Sequence, residues 1–310
     1  MRFYNTDINQ NEKKQVIIPV TDDINIKATV ICGKKEGKTL VLTSGVHGCE
    51  YVGIKALLDI SKELDTEKMS GQVIIIPFVN KEGFLEGAKQ IVPSDGKNLN
   101  RVFGGSENGT TSEKIAYAIE KYVYPKADFI ADLHSGDINE KLMPFVYFSV
   151  SAEKSISKIG EECAKSMSFK YRVASTSKNG LYSYAGQKGI PSLLIERGCQ
   201  GIWTEKEVSE YKNNIYEIMS YLEIIEDKFE IIEQKRIDIT KYIEAPIDCL
   251  WYPYFNGGDN VKKGEVIGEV KDFYDNTIGK YKAEFDGIVL YNTLSLGVKK
   301  DEPLIAYGKI

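Results

Sequence analysis

Residues Thr43–Leu57 read TSGVHGCEYVGIKAL. The apolar run Thr39–Leu42 ends in Ser44-Gly45, His47 and Glu50 follow, and Tyr51–Leu64 then carries Ile54, Leu57 and Leu58 at helical spacing. A strand end that passes into a helix is where open α/β sheets place their chemistry. The three-residue spacing of His47 and Glu50 lets one tight turn aim both side chains at a single atom. A neutral imidazole and a carboxylate are two of the three protein ligands of a catalytic zinc, whose fourth position is kept for water. Alone the pair is weak, because surface ion pairs at helical spacing are commoner. It gains weight because the chain has only one other histidine, His134, which also closes an apolar run, DFIADLHSGD. A long spacer that supplies a third ligand is the pattern of a site assembled from two βα turns.

Outward from this stretch, strands and helices alternate. Val16–Val20 and Asn25–Ile31 read as short strands. Val73–Val79 (VIIIPFV) suits a central parallel strand whose pairing ends near Pro77. Asn80–Asn108 is a long polar segment, and long connections in compact domains are often functional. Thr110 and Glu113 have capping-box spacing ahead of the stripe Ile115, Ile119, Val123. Asp128–Leu133 is the strand that delivers His134, Pro144–Val150 is another, Ser151–Met167 reads as a helix, and Ser192–Ile195 is a strand that ends at Glu196. Thr204 opens a long helix through Leu222. The alternation predicts a doubly wound α/β domain over residues 1–228. After Lys228 short strands alternate with glycine-centred turns (NGGD, KKGE, DNTIG, FDG, SLG), which predicts a small all-β domain over residues 229–310.

Composition narrows the function class. A net charge of −5 gives no reason to expect nucleic acid or an anionic membrane as partner. No apolar run approaches the ~20 residues of a membrane span, and the polar start MRFYNTDINQNEKKQ lacks a signal-peptide core. Five scattered cysteines without a CxxC suggest free thiols and a cytoplasmic location.

The chemistry-bearing candidates follow from this frame. His47, Glu50 and His134 form a His₂Glu set suited to one zinc, which would polarise an amide carbonyl and lower the pKa of water toward ~7. Asp132 shares the strand face of His134 and either orients its imidazole or is an ordinary strand-end carboxylate. Glu196 is either a general base for water or the partner of a neighbouring basic residue. Asn100 and Arg101 form a natural clamp for a substrate carboxylate, although most loop arginines are simply solvated. Lys81, Lys89 and Lys97 make their segment basic within an acidic protein. Cys49 beside His47 offers a rival cysteine nucleophile, disfavoured because residues two apart on a helix do not face each other.

GVHGCEYVG, NLNRVFGG, DLHSG and IERG, in this order, resemble the succinylglutamate desuccinylase/aspartoacylase family of the zinc carboxypeptidase superfamily. The resemblance covers about residues 15–225. It implies a carboxypeptidase-like α/β/α sandwich with one Zn²⁺ per chain held by His47, Glu50 and His134. It also implies a substrate clamp at Asn100 and Arg101, a catalytic glutamate at Glu196, and hydrolysis of an N-acyl amino acid or related small carboxylate. Rival readings are a zinc carboxypeptidase acting on short peptides and a binding protein that has lost catalysis. The chain departs from the family at Cys49, where Asn is frequent, at Phe103–Gly105, where FPG is frequent, and at Lys89, the nearest match to an arginine that polarises the scissile carbonyl. The C-terminal segment is similar to a biotinyl/lipoyl-type hammerhead barrel. Its hairpin tip near Asp272–Asp275 carries Tyr274 in place of the modified lysine, which suggests a structural or gating role and leaves homo-oligomerisation through this domain open.

Overall fold

The computed structural model describes residues 1–310. Its centre is a nine-stranded mixed sheet in the order Lys235–Ile237, Tyr171–Ser175, Phe145–Ser149, Ser192–Glu196, Phe129–His134, Lys35–Ser44, Ser70–Ile76, Asn25–Cys32, Glu12–Pro19. The four strands from Ser192–Glu196 to Ser70–Ile76 are parallel to one another, whereas their outer neighbours Phe145–Ser149 and Asn25–Cys32 run antiparallel to them.

Helices cover both faces because the central strands are apolar on both sides. Leu40 and Leu42 pack with Val52, Leu57 and Ile60 of the helix Tyr51–Glu63 and with Val208, Ile215 and Ile218 of the helix Glu205–Tyr221. Val41, between them in sequence, points the other way, into a cluster with Ile115 and Ile119 of the helix Thr111–Tyr122. Glu113 Oε2 accepts from the Thr110 N–H at 2.8 Å, and the Thr204 hydroxyl accepts from the Glu207 N–H at 3.2 Å, so both predicted helix starts are held by the expected side chains. Two short helices, Lys81–Glu86 and Leu181–Gln187, carry no periodic signal long enough to read from the sequence.

The C-terminal part forms two smaller antiparallel sheets around Trp251, Ile267, Val289 and Tyr307. The expected hairpin tip lies between the strands Val266–Lys271 and Thr277–Lys282, with Tyr274 exposed on it. The sheets do not divide at Lys228. Lys235–Ile237 pairs with Tyr171–Ser175 at the edge of the large sheet. Conversely, Glu140–Leu142 leaves the N-terminal part to pair with Gly287–Thr293. Each part adds a three-residue outer strand to the other's sheet, so the edge left unpaired on each is short. A shared cluster containing Phe145, Tyr147, Tyr182, Leu194, Ile288 and Leu290 packs the seam.

Candidate active site

Three adjacent parallel strands deliver the candidate residues at their C-terminal ends. Lys35–Ser44 runs into the turn that carries His47 and Glu50, Phe129–His134 ends on His134, and Ser192–Glu196 places Glu196 level with His134 in register. The turn needs glycine at two points. Gly45 adopts φ +66°, and a Cβ on Gly48 would lie 2.0 Å from the backbone of Gly83.

The histidines converge on one carboxylate. His47 Nδ1 lies 2.6 Å from Glu50 Oε1, and His134 Nδ1 lies 2.9 Å from Glu50 Oε2. One ligand atom from each of the three residues falls within 4.8 Å of the others. The far nitrogens are held from outside: His47 Nε2 faces Asn98 Oδ1 at 3.2 Å, and His134 Nε2 faces Asp132 Oδ2 at 3.0 Å. Asp132 is buried and accepts from the Thr43 hydroxyl at 2.7 Å. Acceptors on the far side favour the N–H at Nε2, so each Nδ1 turns a lone pair toward Glu50. Lone pairs aimed at a carboxylate repel unless a proton or a cation lies between them. This donor set, two imidazole nitrogens and a carboxylate with outer acceptors, therefore fits a divalent metal such as zinc.

The electrostatics agree. Burial alone would raise the Glu50 pKa, but His134 and His47 outweigh it and hold the carboxyl at about 2. Burial disfavours the His134 imidazolium, yet Glu50 and Asp132 push its pKa well above the ordinary value. The cluster attracts positive charge. Burial pushes Glu196 well above the usual carboxylate range; His134 opposes this, and Glu50, Glu140 and Asp132 reinforce it. No lysine or arginine pairs with Glu196. Its neighbour Arg197 emerges on the opposite strand face, where Asn214 and Glu210 engage it. The ion-pair alternative for Glu196 is thus not realised.

The cavity in front of the cluster has a volume of about 560 Å³. His47, Glu50, His134, Glu196, Asn100 and Arg101 all line it. Arg101 is exposed, donates only to the Asn100 carbonyl at 3.0 Å and has no acidic partner. Asn100 is buried, and its amide oxygen accepts from the Leu181 N–H at 2.9 Å. Tyr242, Glu244, Tyr291 and Asp301 from the C-terminal part form the opposing wall, with Tyr242 Oη 3.1 Å from Tyr147 Oη across the seam.

The family model of the succinylglutamate desuccinylase/aspartoacylase catalytic domain matches residues 36–222. The chain belongs to that family. A relative from Halomonas elongata, named N-alpha-acetyl-L-2,4-diaminobutyric acid deacetylase, is 27% identical, covering 94% of this chain and 90% of its own length. The family fold extends over the whole chain. A product-bound structure of the ectoine utilization protein EutE (DoeB) from Ruegeria pomeroyi has a TM-score of 0.86 at 23% identity, covering 98% of this chain and 97% of that one. A succinylglutamate desuccinylase/aspartoacylase from Rhodobacter sphaeroides has a TM-score of 0.86 at 24% identity, covering 100% and 99%.

Two family departures have a definite structural setting. Lys89 is not brought to the cavity lining; its ammonium lies 3.5 Å from Glu302 and 3.9 Å from Asp137, on the seam with the C-terminal part. Cys49 is buried, with Sγ 3.1 Å from Asp137 Oδ1, and burial with the nearby Asp137 and Glu50 carboxylates pushes its thiol pKa up. Both nitrogens of His47 are engaged elsewhere, so no Cys–His pair forms. Asn98 was not legible as a site residue, since one asparagine in a long polar segment gives no signal; its short spacing from the Asn100-Arg101 pair was the only available hint.

Proposed function

We propose that this protein is a metal-dependent hydrolase that removes the acyl group from an N-acyl amino acid. The observation that carries the reading is the convergence, at one cavity, of the His47–Glu50–His134 cluster, a half-buried carboxylate without a counter-ion at Glu196, and an arginine without an acidic partner at Arg101. Family membership and the relative's name support an acyl group on an amino acid nitrogen as the bond cleaved.

A divalent metal held by His47, Glu50 and His134, zinc by donor type, supplies Lewis acidity toward an amide carbonyl and toward water. Arg101 binds the substrate carboxylate through its guanidinium fork and so fixes the amide in the cavity. Glu196 accepts the proton of the attacking water and passes it to the departing amine. Its pKa, raised by burial, suits the acceptance of that proton, because a carboxyl that holds its proton more tightly is a better base toward water. Desolvation by the C-terminal wall strengthens each of these charge interactions. We assign residues 1–228 as the catalytic domain of a carboxypeptidase-like sandwich and 229–310 as the domain that walls its cavity. Five free cysteines suit a reducing cytoplasm.

The test is a panel of N-acetyl and N-succinyl amino acids offered to zinc-loaded protein, with release of primary amine as readout. Turnover of at least one member, abolished by a chelator and restored by zinc, is the expected result. Cleavage of C-terminal residues from short peptides, with the panel untouched, would replace this reading by a carboxypeptidase.

A further inference from the structure

The Glu196 carboxyl makes no hydrogen bond to another protein group. A general base serves one water only if its position is fixed. The residues of the His47–Glu50–His134 cluster are fixed through their side chains: Asp132 holds His134, Asn98 holds His47, and Glu50 accepts from the Ser135 N–H at 3.0 Å. For Glu196 the constraint comes from the backbone, and the helix Glu205–Tyr221 supplies it from behind the sheet. Tyr211 is fully buried, and its hydroxyl lies 2.8 Å from the Ile195 carbonyl and 2.8 Å from the His134 carbonyl. The Ile195 carbonyl belongs to the peptide unit that joins Glu196, and His134 is level with Glu196 in register. The single hydroxyl proton is thus shared between the ends of the two strands that carry the candidate base and a cluster histidine. The same helix holds the next residue. Asn214 Oδ1 accepts from Arg197 Nε at 3.1 Å, and Glu210 pairs with the Arg197 guanidinium. Asn214 is itself held by Glu217 Oε2 at 2.9 Å. Adjacent residues of a strand face opposite sides, so clamping Arg197 against the helix turns Glu196 to the cavity. Packing alone does not call for a hydroxyl at 211, because Val208, Ile215 and Ile218 of the same cluster are apolar. A buried hydroxyl costs desolvation that only its hydrogen bonds recover.

Resting on the deacylase reading, we propose that Tyr211 is a positioning residue for the reaction: its hydroxyl ties the Ile195 carbonyl to the His134 carbonyl and so fixes where the Glu196 carboxyl stands relative to the His47–Glu50–His134 cluster. Tyr211 does not line the cavity and touches no reacting atom. It acts on turnover through Glu196 and, to a smaller extent, on metal affinity through His134.

The experiment is a double-mutant cycle of Tyr211→Phe with Glu196→Gln on the zinc-loaded enzyme, read with an N-acyl amino acid that the wild type cleaves. Tyr211→Phe removes one oxygen and keeps the ring in the core. It should lower kcat about tenfold with KM within about twofold of wild type. In the Glu196→Gln background the same change should lower kcat by less than about twofold, because a group that acts through Glu196 has nothing left to position. Tyr307→Phe is the control: it deletes a buried hydroxyl of the C-terminal part, which accepts from the Glu284 N–H at 3.0 Å, and should lower the denaturation midpoint with kcat unchanged. A kcat in Tyr211→Phe within about twofold of wild type, or an equal fold-loss in both backgrounds, overturns the proposal. If N-acyl amino acids are inert but short peptides are cleaved, the cycle is read on the peptide; non-additivity there keeps the role of Tyr211 while the deacylase reading falls. If neither is cleaved, zinc affinity by competition with a chromophoric chelator decides. Tyr211→Phe should weaken it at least about threefold, and an unchanged affinity overturns the anchoring.

Discussion

The His134 imidazole is anchored through Nε2 to Asp132 Oδ2 at 3.0 Å, which leaves Nδ1 facing Glu50. The Thr43 hydroxyl holds the other Asp132 oxygen at 2.7 Å, so the strand beside His134 fixes the ring indirectly. An acceptor behind a metal-ligating histidine sets its tautomer and raises its basicity. Asp132→Asn should therefore weaken zinc affinity ~10–100-fold while the fold persists, as read by competition with a chromophoric chelator. Wild-type affinity in that variant would remove Asp132 from the metal site.

Glu196 is predicted to carry the proton transfer. Glu196→Gln preserves the shape and should lower kcat by ~10²–10⁴, with bound zinc per chain unchanged by elemental analysis. In the wild type, kcat should rise with pH as Glu196 loses its proton. The midpoint should lie above the ordinary carboxylate range, because burial favours the neutral acid. Turnover within a few-fold of wild type in the variant would transfer the role of base to another group.

Arg101 and Lys89 are separated by the structure and should separate in kinetics. Arg101→Lys keeps the charge but loses the fork, so KM for a substrate with a free carboxylate should rise ~10-fold or more, and the corresponding carboxamide should be insensitive to the change. Lys89→Met should leave kcat within about threefold. Its effect should fall on stability, because the buried Asp137 loses its nearest cation, a change of about 1–3 kcal/mol in chemical denaturation. A hundredfold fall in kcat with unchanged stability would instead restore Lys89 as a group that polarises the carbonyl.

What the sequence disclosed and what it withheld follow from the range of each signal. His134 and Glu196 could be placed because each closes an apolar run, and His47 and Glu50 because they follow one in the turn before a helix; strand ends in α/β sheets are local features. Strand direction was not legible. Phe145–Ser149 is apolar on both faces, like its parallel neighbours, yet runs antiparallel, and an apolar run looks the same in either sense. The seam was equally hidden. Lys89 meets Glu302 across 213 positions of chain, and Tyr242, Glu244 and Asp301 reach the cavity from a part read from its turns alone. Likewise, the exchange of Glu140–Leu142 and Lys235–Ile237 between sheets depends on edge pairing that only tertiary structure decides.

Cys49 should be chemically quiet. Its thiol donates to Asp137, is fully buried, and has its pKa pushed up by burial and by Asp137 and Glu50, which suppresses the reactive thiolate. Iodoacetamide at pH 7.5 (on the order of one unit below the ordinary thiol pKa) should leave activity intact on a timescale at which a chelator abolishes it. Peptide mapping should find Cys199, the one cysteine that is not fully buried, modified first. Rapid inactivation that tracks modification of Cys49 would revive the cysteine-nucleophile alternative.

Glu140 provides a pH signature independent of turnover. Burial pushes its carboxyl from 4.5 up to about 8; the Asp137 N–H opposes this, and Asp137 and Glu50 add to it. The folded protein therefore keeps a proton that the unfolded chain releases at much lower pH, so stability falls as pH rises wherever the folded state binds more protons. The contribution is complete below pH 4.5 and is lost as pH climbs through about 8. Glu196 and Asp137 are shifted in the same direction, so the informative quantity is the difference between wild type and Glu140→Gln. In metal-free protein the urea midpoint of wild type should decline across that window more steeply than that of Glu140→Gln. Parallel profiles would show that Glu140 is already ionised in the folded chain, and the burial of an uncompensated carboxyl in the cavity wall would have to be abandoned.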